Sequence, residues 1–461
     1  MSVTFPLSQA ALSALCSESI EQLGIAGAQI ALAVGNDVLH AEAGVANVEL
    51  GAPVTGDTLF QIGSTTKLYT AVLVMQLVDA GAVDIDRPVA SYLPGVRLAP
   101  GDEWRAITPR QLMAMMSGLD NGPYIDMGRS DDSVARSVQQ LAEIPLVFAP
   151  GSAYGYSNAS TNVSGLLVET LTGRCWDEAL RDRLLEPAAL SHSVSLFDEL
   201  PYHRVAVGTL PGVEAATRPW CFNRGAGPSG SSLAASASDL VRFGRIMLRG
   251  GLAADGTRIL SESAVETMHA VQVDVPARVF ADHWCVGPYK KVWGGVEVFG
   301  HSGTTQNGST LLVWVPEHEL VVATTVNTPH RGYPFADAVL DAVLRDGLGV
   351  PKPARPVPQA DMHVDPAPYL GRYEAWGLGY EVSYEDGTLL LTAERAANYS
   401  PLGSDEPETL RTPLLPIAPH RFLPADDAVT WHHTWDFAFT LGADGRASLL
   451  HNGSFAARRV A

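Results

Sequence analysis

Basic residues are scarce in this chain. Its 461 residues hold 31 Lys and Arg against 50 Asp and Glu, a formal charge of −19 at pH 7. A nucleic acid or an anionic bilayer needs a basic face, so this balance excludes both as partners. It leaves the substrate open, because a local pocket can oppose the global sign. Cysteine is scarcer still. Cys16, Cys175, Cys221 and Cys285 form no C-x-x-C pair and are too scattered for a disulfide framework, so they read as buried or idle thiols. No metal or other cofactor is expected. The pair His432-His433, in WHHTWDF, has no third ligand in view and reads as strand surface. Also missing are any apolar run of transmembrane length and, in MSVTFPLSQAALSAL, a basic and then apolar leader. A cytoplasmic location is the expectation. What remains, 46% hydrophobic and 18% charged, is ordinary for a globular chain long enough for two or three domains.

Periodicity divides the chain. AGAQIALAVGNDVLHAEAGVA, 26–46, predicts two strands around a Gly-Asn-Asp turn. STTKLYTAVLVMQLVDAG, 64–81, predicts a helix with Ser64 as N-cap and Gly81 as stop. Helical patterns follow at 108–119, 133–144, 159–173, 176–187 and 236–251. The period then changes. VEVFGH, STLLVWVP and ELVVATTVN predict adjacent antiparallel strands within 296–327, with a helix at 335–344 after them. A Pro-rich linker is expected at 351–367, separating a domain of residues 1–350 from an all-β unit at 368–461 with Asp-Gly turns at Asp386-Gly387 and Asp444-Gly445.

The stretch FGHSGTTQNGST, 299–310, poses the functional question. A nucleophile elbow at Ser302 needs G-x-S-x-G followed by a helix. Here Thr304 stands in the last position and a turn and strand follow, so the stretch is expected to line a site whose nucleophile lies elsewhere. QIGSTTK supplies the better candidate. Its S-x-x-K spacing puts Ser64 and Lys67 on one helical face, about a turn apart. A serine hydroxyl needs a base within hydrogen-bond reach, and a lysine serves when burial lowers its pKa. S-x-x-K alone is a weak signal. It is followed by GYSNAS, with Tyr156-Ser157-Asn158, about ninety residues on, and by His301-Ser302-Gly303 on a late strand.

In this order the three motifs resemble those of the penicillin-recognising serine hydrolases. The branch with class C β-lactamases, D-alanyl-D-alanine carboxypeptidases, D-aminopeptidases and related esterases is the most similar. TPRQLMAMMSGL, FAPGSAYGYSN and GAGPSGSSLAASASDLVRF strengthen the likeness, which covers about residues 20–345. The resemblance implies an α+β, β-lactamase/transpeptidase-like fold, an antiparallel sheet flanked by helices with a helical subdomain. PYLGRYEA, 368–375, looks like the opening of the lipocalin-like β-barrel appended to several members, where it often lies over the catalytic cleft.

Roles follow from the same likeness. Ser64 is the expected nucleophile. Lys67 and Tyr156 share its proton, the ammonium favouring a phenolate, and Tyr156 then protonates the leaving group. Asn158 holds Lys67 and a substrate amide, and the Ser64 and Thr304 amides form an oxyanion hole. His301, Ser302 and Gly303 wall the site, with a strand edge for an extended peptide-like substrate. Tyr124, Trp220 and Trp284 are candidate pocket residues, and Arg446, Arg458 and Arg459 are candidate readers of a substrate carboxylate. Most β-lactamases of the group carry lysine where this chain has His301, which points away from β-lactamase activity. The expected reaction is acyl transfer through a serine ester from a small-molecule or peptide substrate, free or carried by a carrier protein. Three readings stand: a penicillin-binding-protein-type thioesterase that cyclises a nonribosomal peptide ending in a D-residue, a D-stereospecific peptidase, amidase or esterase, and a catalytically silent sensor.

Overall fold

The computed structural model of the chain describes residues 7–123, 125–210, 215–218, 220, 223–329, 331–396, 408–426 and 436–460. Tyr124, Cys221 and the pair His432-His433 lie outside these residues.

The central strands are those whose sequences run apolar without a break. β1 (Gly27–Val34) is buried at every position, and β2 (Asp37–Asn47) returns beside it after a turn in which Gly35 has φ 57°. β3 (Tyr289–Trp293), β4 (Val296–Thr305), β5 (Gly308–Val315) and β6 (Leu320–Val326) follow as antiparallel neighbours, and β6 pairs with β1. Three short strands extend the sheet to nine among the described residues. β5 and β6 are buried throughout because both faces of the sheet are covered. Alternate residues divide between two cores. Ala31, Leu312, Trp314 and Val321 meet helices α2 (Thr66–Asp79) and α4 (Ala237–Leu248), while Ile30, Leu32, Val313 and Val322 meet α1 (Gln9–Leu23) and α5 (Gly332–Leu340). Helix α3 (Asn158–Thr172) packs against α2 within the helical subdomain.

Several helix boundaries differ from the periodicity. Ser64 is no N-cap. A 3-10 turn over Gly63–Thr65 leads into α2, and the cap position, Thr65, is itself helical with no side-chain cap bond. An N-cap needs extended backbone, which a continuing turn denies it. The pattern at 108–119 forms a helix only over Pro109–Met113, because Met115 takes φ 57° and turns the chain away. The helix beginning at Asn158 is capped by Ser157, whose hydroxyl accepts the Ser160 amide.

Beyond residues 351–359, which form no helix or strand, eight strands from Gly371–Ala375 to Phe455–Arg459 close a barrel. Asp386 and Gly387 both take positive φ at one hairpin, as the Asp-Gly pair predicts. Tyr373, Tyr380, Leu391, Phe422, Phe437 and Leu450 fill the barrel interior with packed side chains. Among the described residues no helix is long and apolar enough to cross a membrane.

Candidate active site

The three sequence motifs converge. Lys67, 2% exposed, reaches the Ser64 hydroxyl at 3.0 Å, the Asn158 Oδ1 at 2.6 Å and the Ser229 carbonyl oxygen at 2.6 Å. Each motif member is held by its own element. Ser64 sits on the 3-10 turn ahead of α2, Lys67 on the first turn of α2, and Asn158 at the start of α3. Burial alone pushes the Lys67 ammonium well below the usual lysine range.

The identity of these partners decides where the proton goes. A carboxamide oxygen and a backbone carbonyl only accept hydrogen bonds. A neutral amine therefore spends two N–H groups on Asn158 and Ser229 and is left with a lone pair. The one partner with a proton to give is the Ser64 hydroxyl, so the arrangement can deprotonate it. The Lys67 nitrogen also lies 4.9 Å from the centroid of the Tyr156 ring, over its face. That face attracts an ammonium, so it stabilises the charge that forms when Lys67 takes the proton. Burial thus favours the neutral amine, against the expectation of a standing ammonium at Lys67.

Glycines bring the backbone amides together. A Cβ on Gly63 would lie 2.7 Å from the Thr304 nitrogen, and one on Gly303 would lie 2.8 Å from the Ser64 nitrogen and collide with the Ile62 carbonyl. Only glycine permits strand β4 to approach the Ser64 turn this closely. The segments that carry the Ser64 and Thr304 amides are thus in close contact. Strand β3 pairs with β4 only as far as Gly300, so on that side no strand among the described residues lies beside 301–305.

His301 is 1% exposed, and burial, with Lys67 adding to it, lowers its pKa to about 3. Burial therefore favours the neutral ring. Its Nδ1 lies 2.5 Å from the Ser302 carbonyl oxygen, so that nitrogen carries the proton, and Nε2 has no partner among the described residues. Five other expected site residues are placed differently. The Ser302 side chain, on the opposite face of β4, turns to the Tyr333 hydroxyl at 3.4 Å. Trp284 is fully buried behind Tyr156, ring centroids 5.6 Å apart, and supports that ring instead of meeting a substrate. Trp220 donates its indole N–H to the Ala206 carbonyl and packs against Leu59, Val194 and Ala234. Arg459 donates to the carbonyls of Pro368, Leu370 and Ala447, and Arg446 is exposed at the Asp444-Gly445 turn. Burial raises the Asp120 carboxyl, and the charge of Arg458 opposes that rise.

Sequence reasoning missed the Ser229 carbonyl and the closeness of Gly230, on which a Cβ would lie 2.8 Å from the Ser64 nitrogen. Their signal was the glycine cluster of GAGPSGSS. It also missed Asn121, whose Oδ1 accepts the Asn158 amide at 2.9 Å.

A sheet between helical layers, with a hydroxyl and a buried amine paired at the edge of its helical subdomain, defines the class of the penicillin-recognising serine hydrolases. The chain belongs to the beta-lactamase family, whose profile, described as Beta-lactamase, matches residues 12–346. It is similar to penicillin-binding protein 4 of Amycolatopsis lactamdurans, 36% identical over 77% of this chain and 94% of that protein. It is also similar to the esterase EstB of Burkholderia gladioli, 30% identical over 72% of this chain and 94% of that one. Among solved structures, SurE superposes with a TM-score of 0.80 at 27% identity, covering 98% of this chain and 99% of that one, barrel included.

Proposed function

We propose that the protein transfers acyl groups through a Ser64 ester and that its physiological reaction is the cyclisation of a nonribosomal peptide ending in a D-residue. One observation carries the acyl-transfer reading: a buried amine 3.0 Å from the Ser64 hydroxyl whose two other partners accept only. Lys67 takes the Ser64 proton as Oγ attacks the substrate carbonyl. The Ser64 and Thr304 amides hold the oxyanion. Lys67 and Tyr156 return the proton to the leaving thiol, alcohol or amine. The peptide's own amine then attacks the ester, its proton passing back to Ser64.

One finding supports a D-residue at the acyl end, and another supports an ester kept from water. The likeness to SurE runs through the barrel as well as the catalytic sheet, and SurE has been crystallised with D-Leu. The barrel also covers the Tyr156 side of the site, where it limits water. The second reading, hydrolysis by a D-stereospecific peptidase, amidase or esterase, draws support from the esterase relative. β-Lactamase activity is disfavoured by a neutral, buried His301, which offers no cation to a β-lactam carboxylate.

The test supplies a peptidyl thioester ending in a D-residue and weighs the product. A mass equal to the peptide acid less one water is the cyclic product and is the expected result. The free acid supports the second reading. A fluorophosphonate that leaves Ser64 unmodified overturns acyl transfer altogether.

A further inference from the structure

Two hairpin turns of the barrel reach the segment that carries Tyr156. At the last one, the Ser454 carbonyl accepts the Tyr156 backbone N–H at 2.9 Å. The next residue, Phe455, meets the Tyr156 ring edge to face, centroids 5.7 Å apart and planes at 86°. At the first one, the Trp376 amide donates to the Asp120 carboxylate at 2.9 Å. Asp120 is 8% exposed, and its own backbone carbonyl accepts the hydroxyl of Ser157, the residue after Tyr156. The two turns therefore grip 120–121 and 156–157 together.

The contact is packed closely. Asp120, Asn121, Gly155, Tyr156, Trp376 and Phe455 help line a narrow cleft of about 20 Å³, room for one water. Gly155 has no side chain because a Cβ there would lie 2.6 Å from the Phe148 ring and 3.2 Å from Ala456 of the barrel. Val147, Leu449 and Ala456 extend the apolar seam. On its other sides the Tyr156 ring meets Trp284 and Phe280, at 5.6 and 6.4 Å. Phe455 is thus the barrel's share of an aromatic socket that orients the ring face under Lys67.

We propose that the 453–456 hairpin is a positioning element for Tyr156, so that the barrel sets the rate at which Ser64 is acylated and does not merely cover the cleft. This rests on the acyl-transfer reading above. Phe455 touches no reacting atom. It acts by holding the phenol ring, and so the site in which Lys67 gains its charge.

The experiment follows phosphonylation of Ser64 in the full chain by intact mass, using a fluorophosphonate from pH 6 to 9. Phe455→Ala should slow labelling about 10- to 100-fold, the cost of a misplaced reacting group. The midpoint of its pH profile should fall, because a ring that no longer faces Lys67 no longer favours the ammonium. Phe455→Tyr, which keeps the edge-to-face contact, should restore rate and midpoint. Tyr384→Ala, which removes an exposed aromatic elsewhere on the barrel, should label as the wild type does. If Phe455→Ala shows no thermal transition, Phe455→Leu is read by the same criteria. A wild-type rate and midpoint in the folded variant overturn the positioning role alone. No labelling of the wild-type chain overturns the acyl-transfer reading and this role with it.

Discussion

A lysine that serves as a base must lose its proton easily, and arginine cannot. Lys67 has the burial and the acceptor partners that favour the amine. Lys67→Arg puts a standing cation of similar reach in place of the amine and removes the lone pair aimed at Ser64. The expected outcome is a loss of Ser64 labelling by about 10²- to 10⁴-fold, the usual worth of a general base. A variant that labels within a few-fold of wild type would show that charge, not basicity, is what position 67 supplies. At this scale the sequence was most legible. S-x-x-K, Y-x-N and H-x-G named the residues that meet. Side-chain direction was not legible. Ser302 and Trp284 lie beside site residues in the chain or in space, yet one faces Tyr333 and the other the back of Tyr156.

The elements of the site are held by close backbone approach. β4 lies against the turn that carries Ser64, and Gly303 makes the approach possible. Gly303→Ala would drive a methyl group into the Ile62 carbonyl, and neither backbone can yield cheaply. The expected cost is about 1–3 kcal/mol of stability, as for overpacking elsewhere. Acylation should also be lost even below the lowered melting temperature, because the strand would shift the Thr304 amide. Calorimetry and labelling on the same sample check both, and normal labelling at normal stability would refute the close-approach argument. Strand existence was readable from β-branched runs, and both turns of the β4–β6 meander fell where the polar breaks stand. Helix ends were read less well. The periodicity of 108–119 persists beyond Met113, but the chain at Met115 leaves the helical region to meet the Gly155 amide.

The whole molecule carries several titratable groups that folding holds neutral. His269, His301 and His451 have pKa values lowered to about 4, 3 and 4 by burial. Below pH 6.5 the unfolded chain binds protons that the folded chain refuses. Their stabilisation is therefore complete above pH 6.5 and falls as pH drops toward 4, by about 1.4 kcal/mol per unit for each. Glu169, raised to about 7 by burial, runs the other way: its folded form keeps a proton that the unfolded chain gives up, so its contribution is lost as pH rises from 4.5 to 7. Among these four groups the three histidines outweigh the one carboxyl, so their joint contribution lowers the melting temperature between pH 6.5 and 4.5. His451→Gln, inside the barrel and away from the site, should flatten that dependence. A melting temperature independent of pH in this window would contradict the burial of these rings.

The order of motifs along the chain, the alternation of strands and helices, and the Asp-Gly turns of the barrel are local properties, and the sequence by itself determined them. Backbone conformation and solvent preference act over a few residues, so they can be read a few residues at a time. Which acceptors surround Lys67, which way Ser302 and Trp284 face, and how a barrel hairpin comes to hold Tyr156 were decided only by the tertiary structure. Those contacts join segments far apart in the chain, such as Tyr156 and Ser454, and no local pattern encodes the packing that brings such partners together.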